Sequence, residues 1–284
     1  MKQIKAMVLL LIALTLCPKG TLAEEEKKPS PWGEKYSLTL GYFISNLDTG
    51  LRLGAGLGVD IDAEDALNLE ETMSVARLEG YRRFGKHRVD LSWMSLNRKA
   101  MRTAGESFTF ENNQGEQVTV AAGANVESYL NLNLYKLTYS YSFIQDDRLD
   151  LAAALGVYIA PIEVGIAAQG TVNDQEIANE RSASSFTAPL PMLGLRMDIA
   201  VTPKWFVRYQ GQIFYLEYES FKGSLYSSTM AVEYKPWQHV GFGLGYDLLK
   251  MMLEAKKNDY PEIDFKGKIN FQYTGLMLYC KLFF

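Results

Sequence analysis

The stretch Leu276-Met-Leu-Tyr-Cys-Lys-Leu-Phe-Phe284 decides the fold. Successive side chains of an extended strand point to opposite faces. Leu276, Leu278, Cys280, Leu282 and Phe284 therefore share one side, and Lys281 falls on the other. No polar tail follows the terminal Phe-Phe pair. A soluble domain gains nothing from stopping mid-strand on two aromatics, whereas a membrane barrel needs its last strand to close the ring.

The other end of the chain points to export. Lys2 and Lys5 precede an apolar stretch from Met7 to Leu16, and Thr21-Leu22-Ala23 supplies small residues where a signal peptidase cuts. That stretch is too short for a transmembrane helix. Cys17 follows Leu16, where a lipid-attachment site wants a smaller residue. Cleavage after Ala23 takes Lys2, Lys5 and Lys19 from the 29 basic residues, leaving 26 against 33 acidic ones, a net charge of −7. Such a balance discourages a nucleic-acid partner. Only Cys280 remains after cleavage, so no intramolecular disulfide is expected.

Beyond residue 23 there is no apolar run of helical-span length, which leaves a closed barrel as the route across a bilayer. Glu24 to Trp32 is charged, then Pro-rich, and reads as part of a short mobile lead-in on the periplasmic side. From Tyr36 onward the polarity alternates with a period of two. Tyr36, Leu38, Leu40, Tyr42 and Ile44 form one such set, Leu193, Leu195, Met197, Ile199 and Val201 another, and Val240, Phe242, Leu244, Tyr246 and Leu248 a third. Short connections at 84–88, 145–148, 201–204 and 235–239 alternate with longer polar ones near 47–73, 105–124, 169–186 and 254–265. Short periplasmic turns and long outer loops have this asymmetry.

The pattern predicts an all-β, transmembrane, antiparallel up-and-down barrel of about ten strands, with eight or twelve as alternatives. Its organisation is a cleaved signal at 1–23, a periplasmic lead-in at 24–34 and the barrel at 35–284. The run at 50–62 either continues the first strand or forms an outer hairpin. One phase break stands out: Leu130, Leu132 and Leu134 have the opposite parity to Leu137, Tyr139, Tyr141 and Phe143. A β-bulge near Tyr135-Lys136 would return both sets to the lipid side. The other reading lifts the upper half above the membrane.

With the apolar sets outside, Arg88, Asp90, Arg196, Asp198, Arg208, Gln210, Gln212, Glu233, Asp247 and Lys281 point inward. Both signs are present, so a polar lumen filled by ion pairs is expected; small barrels fill their interiors with side chains. Gly241, Gly243 and Gly245 either leave room there or receive a bulky neighbour, and close packing is the preferred reading. His87 and His239 sit at short turns with nothing local to orient a triad, so capping or interface anchoring is their simpler role. The acidic residues Asp60, Asp62, Glu64, Asp65, Glu70 and Glu71 lack the spacing of a calcium loop. No zinc spacing or nucleotide fingerprint appears, and no cofactor is expected.

The terminal stretch resembles the assembly signal of Gram-negative outer-membrane β-barrel proteins, and the resemblance extends over the whole exported chain. It implies an outer-membrane location and surrounding outer-membrane lipid as a partner. It also implies that Leu276, Leu278, Leu282 and Phe284 are read by the barrel-assembly machinery during insertion. Three functions remain open at this level. They are a structural or interaction barrel with long outer loops, a narrow diffusion channel for small or hydrophobic solutes, and an enzyme acting on lipid or peptide. The sequence leans away from the enzyme and does not fix the oligomeric state.

Overall fold

Thirteen strands follow one another in a computed structural model that describes residues 31–53, 61–62, 70–103, 107–111, 117–172, 175–218, 221–255 and 267–284. They are β1 (Tyr36–Leu53), β2 (Ile61–Asp62), β3 (Thr72–Phe84), β4 (His87–Thr103), β5 (Phe108–Glu111), β6 (Gln117–Val120), β7 (Asn125–Gln145), β8 (Leu149–Val172), β9 (Gln175–Ala200), β10 (Trp205–Tyr218), β11 (Phe221–Tyr234), β12 (Val240–Ala255) and β13 (Gly267–Phe283). Ten of them close an antiparallel ring in the order β1-β3-β4-β7-β8-β9-β10-β11-β12-β13, and β13 pairs back onto β1 from Ser37↔Phe283 to Leu53↔Gly267. The expected all-β ten-stranded barrel is the observed fold.

The short turns follow from local chemistry. Gly85 adopts φ of 63°, the left-handed geometry that a two-residue hairpin turn demands. Asp146 Oδ1 accepts the backbone N–H groups of Arg148 and Leu149, both at 2.8 Å, and so closes the next turn on the same rim. Thr202 Oγ1 does the same for Lys204 and Trp205. At that end the wall is apolar outside: Tyr36, Leu38, Leu40, Tyr42 and Ile44 are exposed on β1, and Leu193, Leu195, Leu244, Leu276 and Leu278 continue the band around the ring. Nine residues of β1 cover it, the length a tilted strand needs to cross the hydrocarbon.

Above the band the polarity inverts. Along β1 the outward side passes from Ile44 to exposed Asn46 and Asp48, while inward Leu47 is buried. On β7 outward Asn131 and Asn133 accompany buried, inward Leu130, Leu132 and Leu134. Of the two readings of the phase break, the one with a bulge near Tyr135-Lys136 is not observed. Register runs unbroken through Tyr135↔Ile159 and Lys136↔Tyr158, and the irregularity lies between Ser142 and Ile144. It leaves Phe143 and Ile144 both exposed, as an inserted residue should. The phase break therefore marks the membrane boundary: below it apolar side chains leave the barrel for lipid, and above it they enter the barrel to escape water.

Strands also outrun the expected loops. β8 and β9 pair from Leu149↔Ile199 to Val172↔Gln175, so most of the loop foreseen at 169–186 is hairpin. The segment at 105–124 contains the β5–β6 hairpin. The 50–62 run continues β1 to Leu53, with β2 pairing onto Gly50 and Leu51 outside the ring; it adds no membrane strands, which removes the twelve-strand alternative. Beyond the bilayer, backbone pairing continues without the apolar alternation that makes a strand legible. Among the described residues the wall is split in two places. β3 pairs with β4 only from Phe84↔His87 to Arg77↔Met94, although β3 starts at Thr72 and β4 runs on to Thr103. β9 pairs with β10 only from Ala200↔Phe206 to Leu193↔Ile213, although β9 runs on to Gln175.

Candidate functional site

The lumen is stacked in layers, and the chain's own N-terminal segment forms the lowest. Trp32 is buried against Ala200 and Phe206, its ring 6.0 Å from that of Phe206, and its Nε1 donates to the Asp146 carbonyl at 2.6 Å. Glu34 forms ion pairs with Lys235 and, at 3.7 Å, Lys281, and accepts the Tyr81 hydroxyl at 2.6 Å. Lys35 N–H donates to the Phe284 carbonyl at 2.6 Å, and the Lys35 carbonyl accepts Arg83 N–H at 2.7 Å. In ring order β9 lies five strands from β1 by either route, so the segment from Trp32 to Tyr36 crosses the mouth as a strap. The part of the lead-in from Pro31 onward is thus docked rather than mobile; residues 24–30 lie outside the described residues.

Burial is the largest influence on Glu34 and pushes its carboxyl up. Lys281, Lys235 and Arg208 outweigh it and hold the pKa at about 2. For Lys235, burial and then the like charges of Lys281 and Arg208 push the ammonium below its usual range. Asp146, at the exposed turn, is lowered by the two backbone N–H groups it accepts.

Over the strap lies the ion-pair layer. Asp198 is its centre: it pairs with Arg196, with Arg88 at 3.2 Å, with Arg83 at 3.7 Å and with Arg208 at 3.9 Å. Arg196 also reaches Asp150 at 3.1 Å and donates to the hydroxyls of Ser140 and Ser142, and Arg83 meets Asp150 at 2.5 Å. Asp90 pairs with Arg88. Glu233 gathers Lys281 and Arg208, both at 3.3 Å, and Lys235 at 3.6 Å. Of the eight lumen residues expected to form a network, Arg88, Asp90, Arg196, Asp198, Arg208, Glu233 and Lys281 are joined in one. Asp247 stands higher and pairs with Arg77, which also holds Glu79 at 2.6 Å. Removing one member of such a buried set costs about 3–5 kcal/mol, because its partner is left charged and unsolvated.

Arg83, Asp150 and Lys235 in this layer, Glu34 beneath it and Arg77 and Glu79 above it are not among the residues that the sequence reading singles out. Asp150 was within reach: it stands between outward Leu149 and Leu151, which puts it inside. Glu34 carried no periodic signal, since it precedes the first strand. Gly243 is the receptor for a bulky neighbour. Its cross-strand partner is Tyr279 on one side and Glu233 on the other. The Tyr279 ring lies over the glycine, where any Cβ would overlap it, and its hydroxyl donates to Glu233 at 3.3 Å.

Higher still, Lys136 Nζ donates to Gln210 at 3.1 Å and Gln212 to Thr138 at 3.3 Å. Above this level the lining turns largely apolar, although buried Arg98 still donates to Thr49 near the upper end. The expectation of a polar interior throughout holds only for the lower half. Above it, Phe43, Leu132, Leu249, Met251, Phe271 and Tyr273 belong to one packed apolar cluster.

The outward residues are equally defined. Leu276, Leu278, Leu282 and Phe284 are exposed on the lipid side. His239 stacks on Phe284 at 5.4 Å, and its Nδ1 donates to the Phe283 carbonyl at 3.0 Å. His87 Nδ1 lies 2.6 Å from the Tyr139 hydroxyl and its ring stacks on Phe84, within the exterior aromatic girdle. Among the described residues no group of His, Cys, Asp and Glu comes together to hold a metal ion. Asp60, Glu64 and Asp65 of the acidic stretch lie outside the described residues.

A closed, even-stranded antiparallel barrel, apolar on its membrane-facing wall and charged within, is an outer-membrane β-barrel. No protein-family model and no curated protein matches the sequence. Among solved structures, the chain is similar to the outer-membrane protease OmpT from Escherichia coli, with 10% identity, 88% of this chain and 97% of that chain covered, and a TM-score of 0.49. It is also similar to the toluene transporter TodX of P. putida (9% identity, 87% and 89% covered, TM-score 0.33). A third is Ail, the attachment invasion locus protein of Yersinia pestis (7% identity, 86% and 99% covered, TM-score 0.33). These are a protease, a toluene transporter and an attachment invasion protein, and likeness at this level transfers none of those roles.

Proposed function

We propose that this protein is a non-conducting outer-membrane barrel of structural or interaction type, whose working surface is the extension of the wall above the membrane. One observation carries the reading: buried side chains of two different chemistries fill the lumen at two heights. Asp150 and Glu233 are 0% exposed and Lys281 1% in the ion-pair layer, and Leu249 is 0% and Met251 1% exposed in the apolar layer above. A hydrated path would have to open both. Meanwhile the β8–β9 hairpin and β5–β6 extend the sheet past the apolar band, offering paired backbone to partners.

In this reading residues 1–23 are removed on export, residues 24–34 lead in on the periplasmic side, and the exposed apolar set Leu276, Leu278, Leu282 and Phe284 serves recognition by the assembly machinery. The eight lumen residues act as the internal brace. Planar-bilayer recordings of the refolded protein, with its heat-modifiable gel shift as proof of folding, test the central claim. No discrete channel steps are expected. Stable unitary conductance from the shifted species would contradict the filled lumen and favour the diffusion channel.

A further inference from the structure

We propose that the periplasmic vestibule is a carboxylate-binding site which the chain's own strap occupies at rest, so that a competing periplasmic carboxylate releases the strap. The site is built from three strands and a turn that owe nothing to the strap. Lys281 comes from β13, Arg208 from β10, Tyr81 from β3, and Lys235 follows β11. Without a guest the linked cations Arg83, Arg88, Arg196, Arg208, Lys235 and Lys281 outnumber the anions Asp90, Asp150, Asp198 and Glu233, six to four. Lys281 at 3.3 Å, Arg208 at 3.3 Å and Lys235 at 3.6 Å all lean on Glu233, while Arg208 also faces Asp198, itself shared with Arg196, Arg88 and Arg83. Glu34 supplies the missing anion: its carboxylate reaches both lysines and accepts the Tyr81 hydroxyl. Cation-rich surroundings keep it ionised despite burial.

A second contact gives the site shape. Trp32, two residues before Glu34, fills a slot beside Phe206 and Ala200 and is tied to the Asp146 carbonyl. The recognised unit is therefore a carboxylate, with an aromatic ring two residues upstream as an added anchor. Backbone bonds of Lys35 to Phe284 and Arg83 anchor the root of the strap, so exchange of Trp32 to Glu34 alone leaves the ring's pairing intact. The ligand class is a carboxylate, carried either by a small free acid or by an extended peptide.

The test uses the full exported chain folded in detergent micelles. Glu34→Ala vacates the site while keeping the strap's backbone, and the heat-modifiable shift reports whether the barrel still folds. Added acetate, with chloride at equal ionic strength as control, is expected to restore saturably at least half of the loss in unfolding midpoint. The wild-type protein should show no such gain. An equal response of both proteins, or none in the variant, would overturn the proposal.

A second measurement needs no variant. Tryptic cleavage after Lys35 of the wild-type protein is followed with a synthetic, C-terminally amidated peptide of residues 29–34, which lacks the cleaved bond, or with acetate. Faster cleavage with peptide at concentrations where acetate is inert assigns the site to extended segments, and acceleration by both alike assigns it to small acids. Either supports a displaceable carboxylate. Unchanged cleavage in both, with the variant unrescued, would leave Glu34 as a fixed structural contact and refute the exchange.

Discussion

Glu34 sits where two large effects oppose each other. Burial at the mouth disfavours its charged form, and the neighbouring Lys281, Lys235 and Arg208 favour it more strongly, so the carboxyl titrates near 2 instead of at its ordinary 4.5. A group whose folded pKa is depressed contributes stability above its unfolded value and loses it as pH falls through the folded value. The contribution of Glu34 is therefore complete above about pH 4.5 and gone below about pH 2. Discounted for the part of the side chain that water reaches, it is on the order of 2 kcal/mol at neutral pH. Glu34→Gln is expected to lower the unfolding free energy by about that amount at pH 7, with the gap from wild type closing between pH 4.5 and 2. Urea titrations of the two proteins in lipid vesicles across that range check it. A gap independent of pH would show that the substitution removes packing or hydrogen bonds rather than charge.

At the scale of elements, the split between β9 and β10 has a cause in two residues. Ala200 N–H donates to the Arg148 carbonyl beside β8, and Val201 N–H to the Trp205 carbonyl at the start of β10. Residues alternate in the direction of their backbone groups, so odd-numbered positions of β9 face β10. Pro189 and Pro191 are odd, lack an N–H, and follow directly on Leu193, the last residue paired with Ile213. Pro191→Thr returns a donor with high strand propensity. It is expected to extend the pairing toward Tyr215 and slow hydrogen exchange at the amides of 191 and 215. Unchanged exchange at both would place the cause of the split elsewhere.

Prolines here were visible in the sequence, but their consequence depends on which neighbour each amide faces, a property of register. The same distinction separates what was legible from what was not. Sets such as Leu193 to Val201 announced strands because lipid on one side and ions on the other impose a period of two. Gln175 to Thr187 did not, because the stretch pairs with β8 without the apolar alternation that marks a lipid-facing strand. The seven linked lumen residues were legible through parity, whereas Glu34 and Lys235, outside the strands, were reachable only through tertiary contact.

For the whole molecule, the inversion of polarity defines where the membrane ends. Below the boundary an outward side chain meets hydrocarbon and an inward one meets ions; above it an outward side chain meets water and an inward one meets the apolar cluster. A basic substitution should therefore be judged by height as well as by face. Outward Leu195 on β9 lies beside Ala153 and Gly211, within the band. There Leu195→Arg places a charge in lipid at a cost of roughly 2–4 kcal/mol. Outward Asn131 on β7, paired with Asn97 and Glu163, lies above it, and Asn131→Arg should cost less than about 0.5 kcal/mol. The expected outcome is a reduced heat-modifiable fraction in outer membranes for the first variant and wild-type assembly for the second. Equal assembly of both would mean that the hydrocarbon boundary does not follow the inversion at Leu134 and Tyr135. The apolar upper lumen would then have to be explained as an interior that happens to lie within the bilayer.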